Sequence, residues 1–250
     1  MQIDGCEALV TGAAGGIGTT LVAALAARGA RRIHAADLPD ALSAAAFPAG
    51  TAVEPLPLDV ADEAAVRRAA DACTGVTLVV NNAAIIAWDG VMSAPALDAA
   101  RAQFEVNFWG YLHVARAFAP VLAGNGGGAL VNVLSEVARV SAPFCGNYAA
   151  SKAAAWSATQ CMRAELAAQG THVLAVFPSS TDTPMVAGFD GEKQPPEAVA
   201  EGICDALERG LEDVCIGAHS IQTEALMRSD PKAVEREFGA LLPGADAIPD

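Results

Sequence analysis

Long apolar runs are missing from this 250-residue chain. Although 53% of its residues are hydrophobic, no stretch reaches the roughly 18 consecutive apolar residues that cross a bilayer. A membrane-spanning helix is therefore excluded as a reading. Strand-like sequence begins within the first few residues, so no secretory leader is expected and a cytoplasmic protein is. Positive charge is scarce: 15 Lys and Arg face 29 Asp and Glu, for a formal net charge of −14. That balance argues against nucleic acid and anionic membrane as partners. The cysteines at 6, 73, 145, 161, 204 and 215 form no CxxC pair and no regular framework, which points to reduced thiols. His34, His113, His172 and His219 are scattered without an HxxxH or Cys/His cluster, so no metal site is expected. Linkers, repeats and low-complexity tracts are also lacking, and residues 1–250 read as a single domain.

What is present is alternation. Short β-rich runs at 6–11, 32–36, 52–58, 76–81, 129–134, 172–177 and 213–217 are separated by Ala-rich helical stretches near 16–29, 61–73, 98–123, 147–169 and 196–210. Strands alternating with helices predict βαβ units and a parallel sheet covered on both faces. The expectation is an α/β, doubly wound (Rossmann) fold with a seven-stranded parallel sheet. Segments 38–51 and 178–196, with Pro48, Pro178, Pro184, Pro195 and Pro196, read as loops. In the tail after Ala218, residues 231–240 read as helical.

The first strand runs into Thr11-Gly12-Ala13-Ala14-Gly15-Gly16-Ile17-Gly18 and then a helix. Glycines there permit a tight turn and close backbone approach to a pyrophosphate, which the helix N-terminus faces with free N–H groups. No GK[ST] follows, which disfavours an ATP-type phosphate loop. Asp37 lies at the end of the second strand, nineteen residues past Gly18. A carboxylate in that place accepts hydrogen bonds from a ribose 2′-hydroxyl and repels a 2′-phosphate, favouring NAD over NADP. Leu38 follows it, Ala14 in the loop is not basic, and Arg31 and Arg32 stand at the opposite end of the strand.

Further on, Tyr148 precedes Lys152 by four residues in the helical stretch NYAASKAAA, which puts both on one helix face. An ammonium beside a phenol favours the phenolate and would lower the phenol pKa toward a working general acid or base. Ser135 lies thirteen positions upstream. Taken in order, Thr11–Gly18 as TGxxxGxG, Asp59, Asn81-Asn82-Ala83-Ala84, Asn107, Ser135, Tyr148 and Lys152 resemble the single-domain short-chain dehydrogenases/reductases. The motifs span residues 11 to about 185.

The resemblance implies a proton relay. Tyr148 would exchange a proton with the substrate oxygen, and Ser135 would hydrogen-bond the same oxygen. Lys152 would tune Tyr148 and bind the nicotinamide ribose, while Asn107 would hold a water linking Lys152 to solvent. It also implies cofactor contacts by Gly12, Ala14, Gly16, Ile17, Gly18, Asp37, Leu38, Asp59 and Val60 (at the adenine), and by Asn82, Ala83, Ala84, Tyr148, Lys152, Pro178, Ser179, Thr181 and Thr183 (nearer the nicotinamide). Ala84 and Ser179 stand where the family usually has glycine. Ala84 is tolerable unless its φ is positive, and Ser179 is expected to cost little or to alter the loop.

On the substrate side a short lid, about 179–196, is expected to leave the pocket open. Its wall would include Ile86, Trp88, Val137, Phe144, Cys145 and Met185, with no Arg or Lys to grip an anion. Trp88 and Phe144 also read as plain loop anchors. The leading expectation is an NAD-dependent enzyme interconverting a neutral, hydrophobic secondary alcohol and its ketone. A 3-oxoacyl thioester reductase and a catalytically silent dinucleotide-binding regulator are the competing readings. Helices near 98–123 and 147–169 resemble the family's subunit interface, implying a homotetramer or homodimer. The tail, about 218–250, has two open roles: joining an interface or closing the pocket.

Overall fold

In the computed structural model, which describes residues 1–48 and 52–243, each expected apolar run becomes a strand. The order is β1 (Glu7–Thr11), α1 (Gly16–Ala27), β2 (Arg32–Asp37), α2 (Pro39–Ala44), β3 (Val53–Pro57), α3 (Glu63–Ala72) and β4 (Leu78–Asn81). Then come α4 (Asp98–Phe104), α5 (Tyr111–Gly124), β5 (Ala129–Val133), α6 (Gly146–Leu166), β6 (His172–Pro178), α7 (Pro196–Arg209), β7 (Asp213–Ile216), α8 (Ala218–Ser229) and α9 (Pro231–Gly239). The strands form one seven-stranded parallel sheet ordered β3-β2-β1-β4-β5-β6-β7. It is a doubly wound Rossmann sheet of one domain. The strand order reverses between β1 and β4, which opens the crevice where such sheets bind ligands.

Burial follows the two-faced plan. β1, β4 and β5 are buried along their whole length, as parallel strands covered on both faces must be. Leu21, Val22 and Leu25 of α1 pack with Val199, Ile203 and Leu207 of α7 on one face. Val66 of α3 and Val114, Phe118 and Leu122 of α5 cover the other.

Three elements differ from expectation. The segment read as loop at 38–51 holds the short helix α2: Pro39 supplies a helical φ at its first position and Asp40 places an acid in its first turn. Residues 49–51 of that segment lie outside the described residues. The helix expected over 98–123 is interrupted by a π-helical turn at Glu105–Gly110, between α4 and α5. Asn107 sits in this turn, and its side-chain bonds to other elements supply a reason for the local widening. Finally, the tail forms α8 as well as the expected α9, and residues 244–250 of it lie outside the described residues.

Candidate active site

The glycine-rich turn after β1 is held to β4 through side chains. Thr11 Oγ1 donates to Val80 O at 3.2 Å and accepts from the backbone N–H groups of Asn82 and Ala83. Asn82 Nδ2 donates to the carbonyls of Thr11 and Gly12, both at 3.0 Å. Gly12 has φ +65°, and a Cβ there would stand 2.7 Å from the Ala83 Cα, so only glycine fits. Among the described residues no non-glycine residue has positive φ, so Ala84 is accommodated as expected.

At the end of β2 the Asp37 carboxylate accepts from Ala14 N at 2.9 Å and from Leu38 N at 2.8 Å. It is therefore fixed against the turn. Arg31 and Arg32 are occupied at the other end of the strand, by Glu7 at 3.1 Å and Glu54 at 3.2 Å respectively.

One cavity of about 720 Å³ runs from Asp37 across the strand ends to α9. Every residue expected to touch cofactor lines it, from Gly12, Ala14, Gly16, Ile17, Gly18, Asp37, Leu38, Asp59 and Val60 through Asn82, Ala83 and Ala84 to Pro178, Ser179, Thr181 and Thr183. So do Ser135, Tyr148 and Lys152, and so do Ile86, Trp88, Val137, Phe144, Cys145 and Met185. Asn107 does not. It is fully buried, with Oδ1 accepting from Ile85 N at 2.9 Å and Nδ2 donating to Ile85 O at 2.9 Å and Ser151 Oγ at 3.0 Å. Its side chain is thus committed to the chain after β4 and to Ser151.

The Lys152 contact also differs. Its Nζ donates to Tyr111 Oη and to Val133 O, each at 2.9 Å, and lies 5.8 Å from the Tyr148 ring centroid. Tyr111 Oη in turn donates to Val133 O at 2.6 Å. Burial governs the titration of both relay residues. Desolvation pushes the Tyr148 phenol above its ordinary range, against a smaller lowering from its hydrogen bond with Ser135, and brings Lys152 down to about 7. The expected lowering of the Tyr148 pKa by the ammonium does not prevail, because burial disfavours the phenolate and no direct Lys152–Tyr148 hydrogen bond forms.

On the substrate side the lid segment is anchored at both its base and its tip. Thr181 bridges to Gln194, and Asp182 N donates to Gln194 O at 2.8 Å, pinning the base of the excursion. Phe189 at its tip stacks on Trp88 and Phe144, with centroids 6.2 and 6.0 Å apart, while Trp88 and Phe144 lie 5.7 Å apart. The two rings thus serve at once as cavity wall and loop anchors. Ser179 fits because its neighbour is Gly217: with φ +97°, a Cβ at 217 would stand 2.2 Å from Ser179 Oγ. The tail packs inward, with Val234 and Phe238 of α9 buried against Val137, Val140, Cys145 and Tyr148.

A family model for short chain dehydrogenases matches residues 7–194. The chain belongs to the short-chain dehydrogenase family. A 1-deoxy-11-beta-hydroxypentalenate dehydrogenase of Streptomyces avermitilis is 38% identical over 199 residues, covering 76% of this chain and 73% of the relative. A sorbitol dehydrogenase of Cereibacter sphaeroides is 33% identical over 202 residues, covering 77% of each. A short chain dehydrogenase of Burkholderia cenocepacia, solved in complex with NADP, superimposes with a TM-score of 0.90 at 38% identity, covering 95% of this chain and 99% of its own.

In this short-chain dehydrogenase the cavity also contains residues that sequence reasoning passed over. Glu136, Phe189, Glu192, Gln194, His219, Phe238 and Leu241 line it, and Tyr111 stands behind Lys152. The signal for Glu136 was its adjacency to Ser135. His219, Phe238 and Leu241 had none, because only the fold brings the tail to the site.

Proposed function

We propose that this short-chain dehydrogenase interconverts a neutral secondary alcohol and its ketone, using NAD. The observation that carries the reading is the convergence of Ser135, Tyr148 and Lys152 on one cavity that begins at a fixed Asp37 carboxylate. The residues fit a dinucleotide: a side-chain-free turn at Gly12, free N–H groups at the start of α1, and a carboxylate suited to ribose hydroxyls. When bound, the nicotinamide would take up or give back the hydride. Tyr148 would accept the proton of the substrate hydroxyl in oxidation and return it in reduction. Ser135 would hydrogen-bond the same oxygen and stabilise its developing charge. Lys152, held by Val133 O and Tyr111, would contribute positive charge next to the phenol and bind ribose. Asn107 enters as a positioning residue, through Ile85 and Ser151.

Asp37 supports NAD, since its negative charge and the absence of a nearby unpaired Arg among the described residues disfavour a 2′-phosphate. The NADP bound by the Burkholderia cenocepacia relative makes cofactor choice the first quantity to measure. Among the cavity residues Lys152 is the sole Lys or Arg, and Asp37, Asp59, Glu136 and Glu192 contribute acid. An anionic substrate would lose hydration there without a dedicated cation to replace it. The polyol name of the sorbitol dehydrogenase relative agrees with a neutral, secondary alcohol. Exposed Leu97, just before α4, and Trp109, within the π turn, support the α4–α5 face as the interface of a homodimer or homotetramer.

A screen of alcohols with NAD and with NADP, read by absorbance of the reduced cofactor, tests the reading. Saturable turnover with neutral alcohols, at least tenfold better in kcat/KM than with matched carboxylate-bearing ones, is expected. Equal efficiency would defeat the neutral-substrate reading. Cofactor binding without turnover would favour a silent regulator, and turnover confined to 3-oxoacyl thioesters would favour the reductase.

A further inference from the structure

The cavity wall beside Ser135 carries a polar pair that the proton relay does not use. Glu136 opens the short turn Glu136–Ala138 and is 8% exposed, yet it lines the cavity. Its Oε2 lies 2.7 Å from Nδ1 of His219, at the start of α8, and His219 lines the same cavity with its side chain about half exposed. Oε1 of Glu136 and Nε2 of His219 have no hydrogen-bond partner among the described residues. Neither belongs to the sealed, unpaired polar atoms of the core, which are Asn81 Oδ1, Arg139 Nε and His172 Nδ1. Oε1 of Glu136 is therefore not sealed in the core, and both residues line the cavity.

The pair is one of several contacts that hold the tail, and His219 also packs on Phe238 with ring centroids 5.6 Å apart. α8 is already held by Ser220 Oγ, which donates to Phe177 O at 2.7 Å, and by the ion pair of Arg139 with Glu224. A buried carboxylate costs free energy unless its oxygens are satisfied. Burial does raise the Glu136 pKa, and the bond from His219 opposes the rise. His219 serves one oxygen. The other can be served by a donor entering the cavity.

A hydroxyl has the right complement: its O–H donates to the free oxygen of Glu136, beside His219, whose Nδ1–H is turned to Glu136 and whose Nε2 is then an acceptor in the neutral ring. A substrate carboxylate has no proton to donate and would meet like charge. Elsewhere in the cavity Trp88, Phe144 and Phe189 form a stack with interplanar angles of 4° to 14°, suited to an apolar ring or chain.

We propose that Glu136 and His219 form a subsite for a second hydroxyl, so that the preferred substrate is a neutral diol whose other, secondary hydroxyl reacts at Ser135 and Tyr148. The subsite rests on the reading of the site given above, and its test separates the two. Cyclohexanol and the cis and trans isomers of 1,2- and 1,3-cyclohexanediol share one ring and differ in the second hydroxyl. With NAD and wild-type protein, at least one diol is expected to exceed cyclohexanol by about tenfold in kcat/KM, the scale of one hydrogen bond to a charged group.

Glu136→Leu keeps bulk and removes the acceptor, so the diol-to-cyclohexanol ratio should fall by about tenfold. Glu136→Gln retains a neutral partner and should recover part of it. His219→Ala, at the more exposed partner, should lower the same ratio and covers the case in which Glu136→Leu does not fold. A purely structural pair would slow both substrates equally, and an unchanged ratio in Glu136→Leu or His219→Ala overturns the proposal. Cyclohexanol oxidised as well as every diol by the wild type overturns it too, while leaving the alcohol dehydrogenase reading intact. No turnover of any alcohol removes that reading and the subsite with it.

Discussion

The two ends of the cavity are built in different ways. At the nucleotide end, Gly12, Asp37 and Asn82 lie within a residue or two of strand ends, and their key contacts involve backbone: Ala14 N and Leu38 N on Asp37, Thr11 O and Gly12 O on Asn82. At the substrate end the wall comes from distant segments meeting through side chains, with Phe189 on Trp88 and Phe144, His219 on Glu136, and Phe238 against the Tyr148 cluster. Backbone geometry binds a group common to many enzymes, so a short motif suffices to specify it. Side-chain walls set which substrate enters, and they can change without disturbing the sheet.

Tyr148→Phe should break the junction between the ends most completely. The ring still packs, but the proton carrier is gone, and turnover should fall by about 10²–10⁴-fold with NADH affinity within a few-fold of wild type. Steady-state rates retaining more than a tenth of the original would remove the assigned role.

Asp37→Ala probes the nucleotide end alone. Loss of the fixed carboxylate should weaken NAD and improve NADP relative to it, by about ten- to a hundredfold in the ratio of kcat/KM. Screening by solvent at the half-buried position keeps the switch partial. A wild type that already prefers NADP in paired assays would contradict the Asp37 argument.

Lys152→Met sharpens the electrostatic account of the centre. Folded Lys152 gives up its proton at about 7, whereas its ordinary value is 10.5. Between those values the unfolded chain binds more protons, so the Lys152 contribution to stability rises as pH increases through this window. Below pH 7 its full desolvation cost is present. Melting temperatures at pH 6, 8 and 10 should therefore show Lys152→Met gaining most over wild type at pH 6. A difference in Tm independent of pH would contradict burial as the cause.

Tyr111→Phe should have the smallest effect. It removes one of two hydrogen bonds to Lys152 and leaves the ring in place. A several-fold loss in kcat with a displaced pH profile is expected, since Lys152 loses an acceptor that favours its charged form. An unchanged pH profile would show that the Tyr111 hydroxyl does not tune Lys152.

Alternating apolar runs and helices predicted the sheet because strand and helix periodicities are local, and each run indeed supplies a strand. Motif spacing likewise located Ser135, Tyr148 and Lys152, since a strand end and one helical turn bring them together with little help. The π turn at Glu105–Gly110 was not legible, because it accompanies bonds from Asn107 to Ile85 and to Ser151, 22 and 44 residues away. Nor was the partner of Lys152: Tyr111 lies 41 residues upstream and meets it only when α5 and α6 pack over β5. The chain alone determined a parallel doubly wound sheet with a glycine turn and a carboxylate beside it at the strand ends, because those follow from residues close in sequence. Tertiary structure decided which groups hold Lys152, that tail residues line the cavity, and that Glu136 meets His219, because those contacts join segments that only long-range packing brings together.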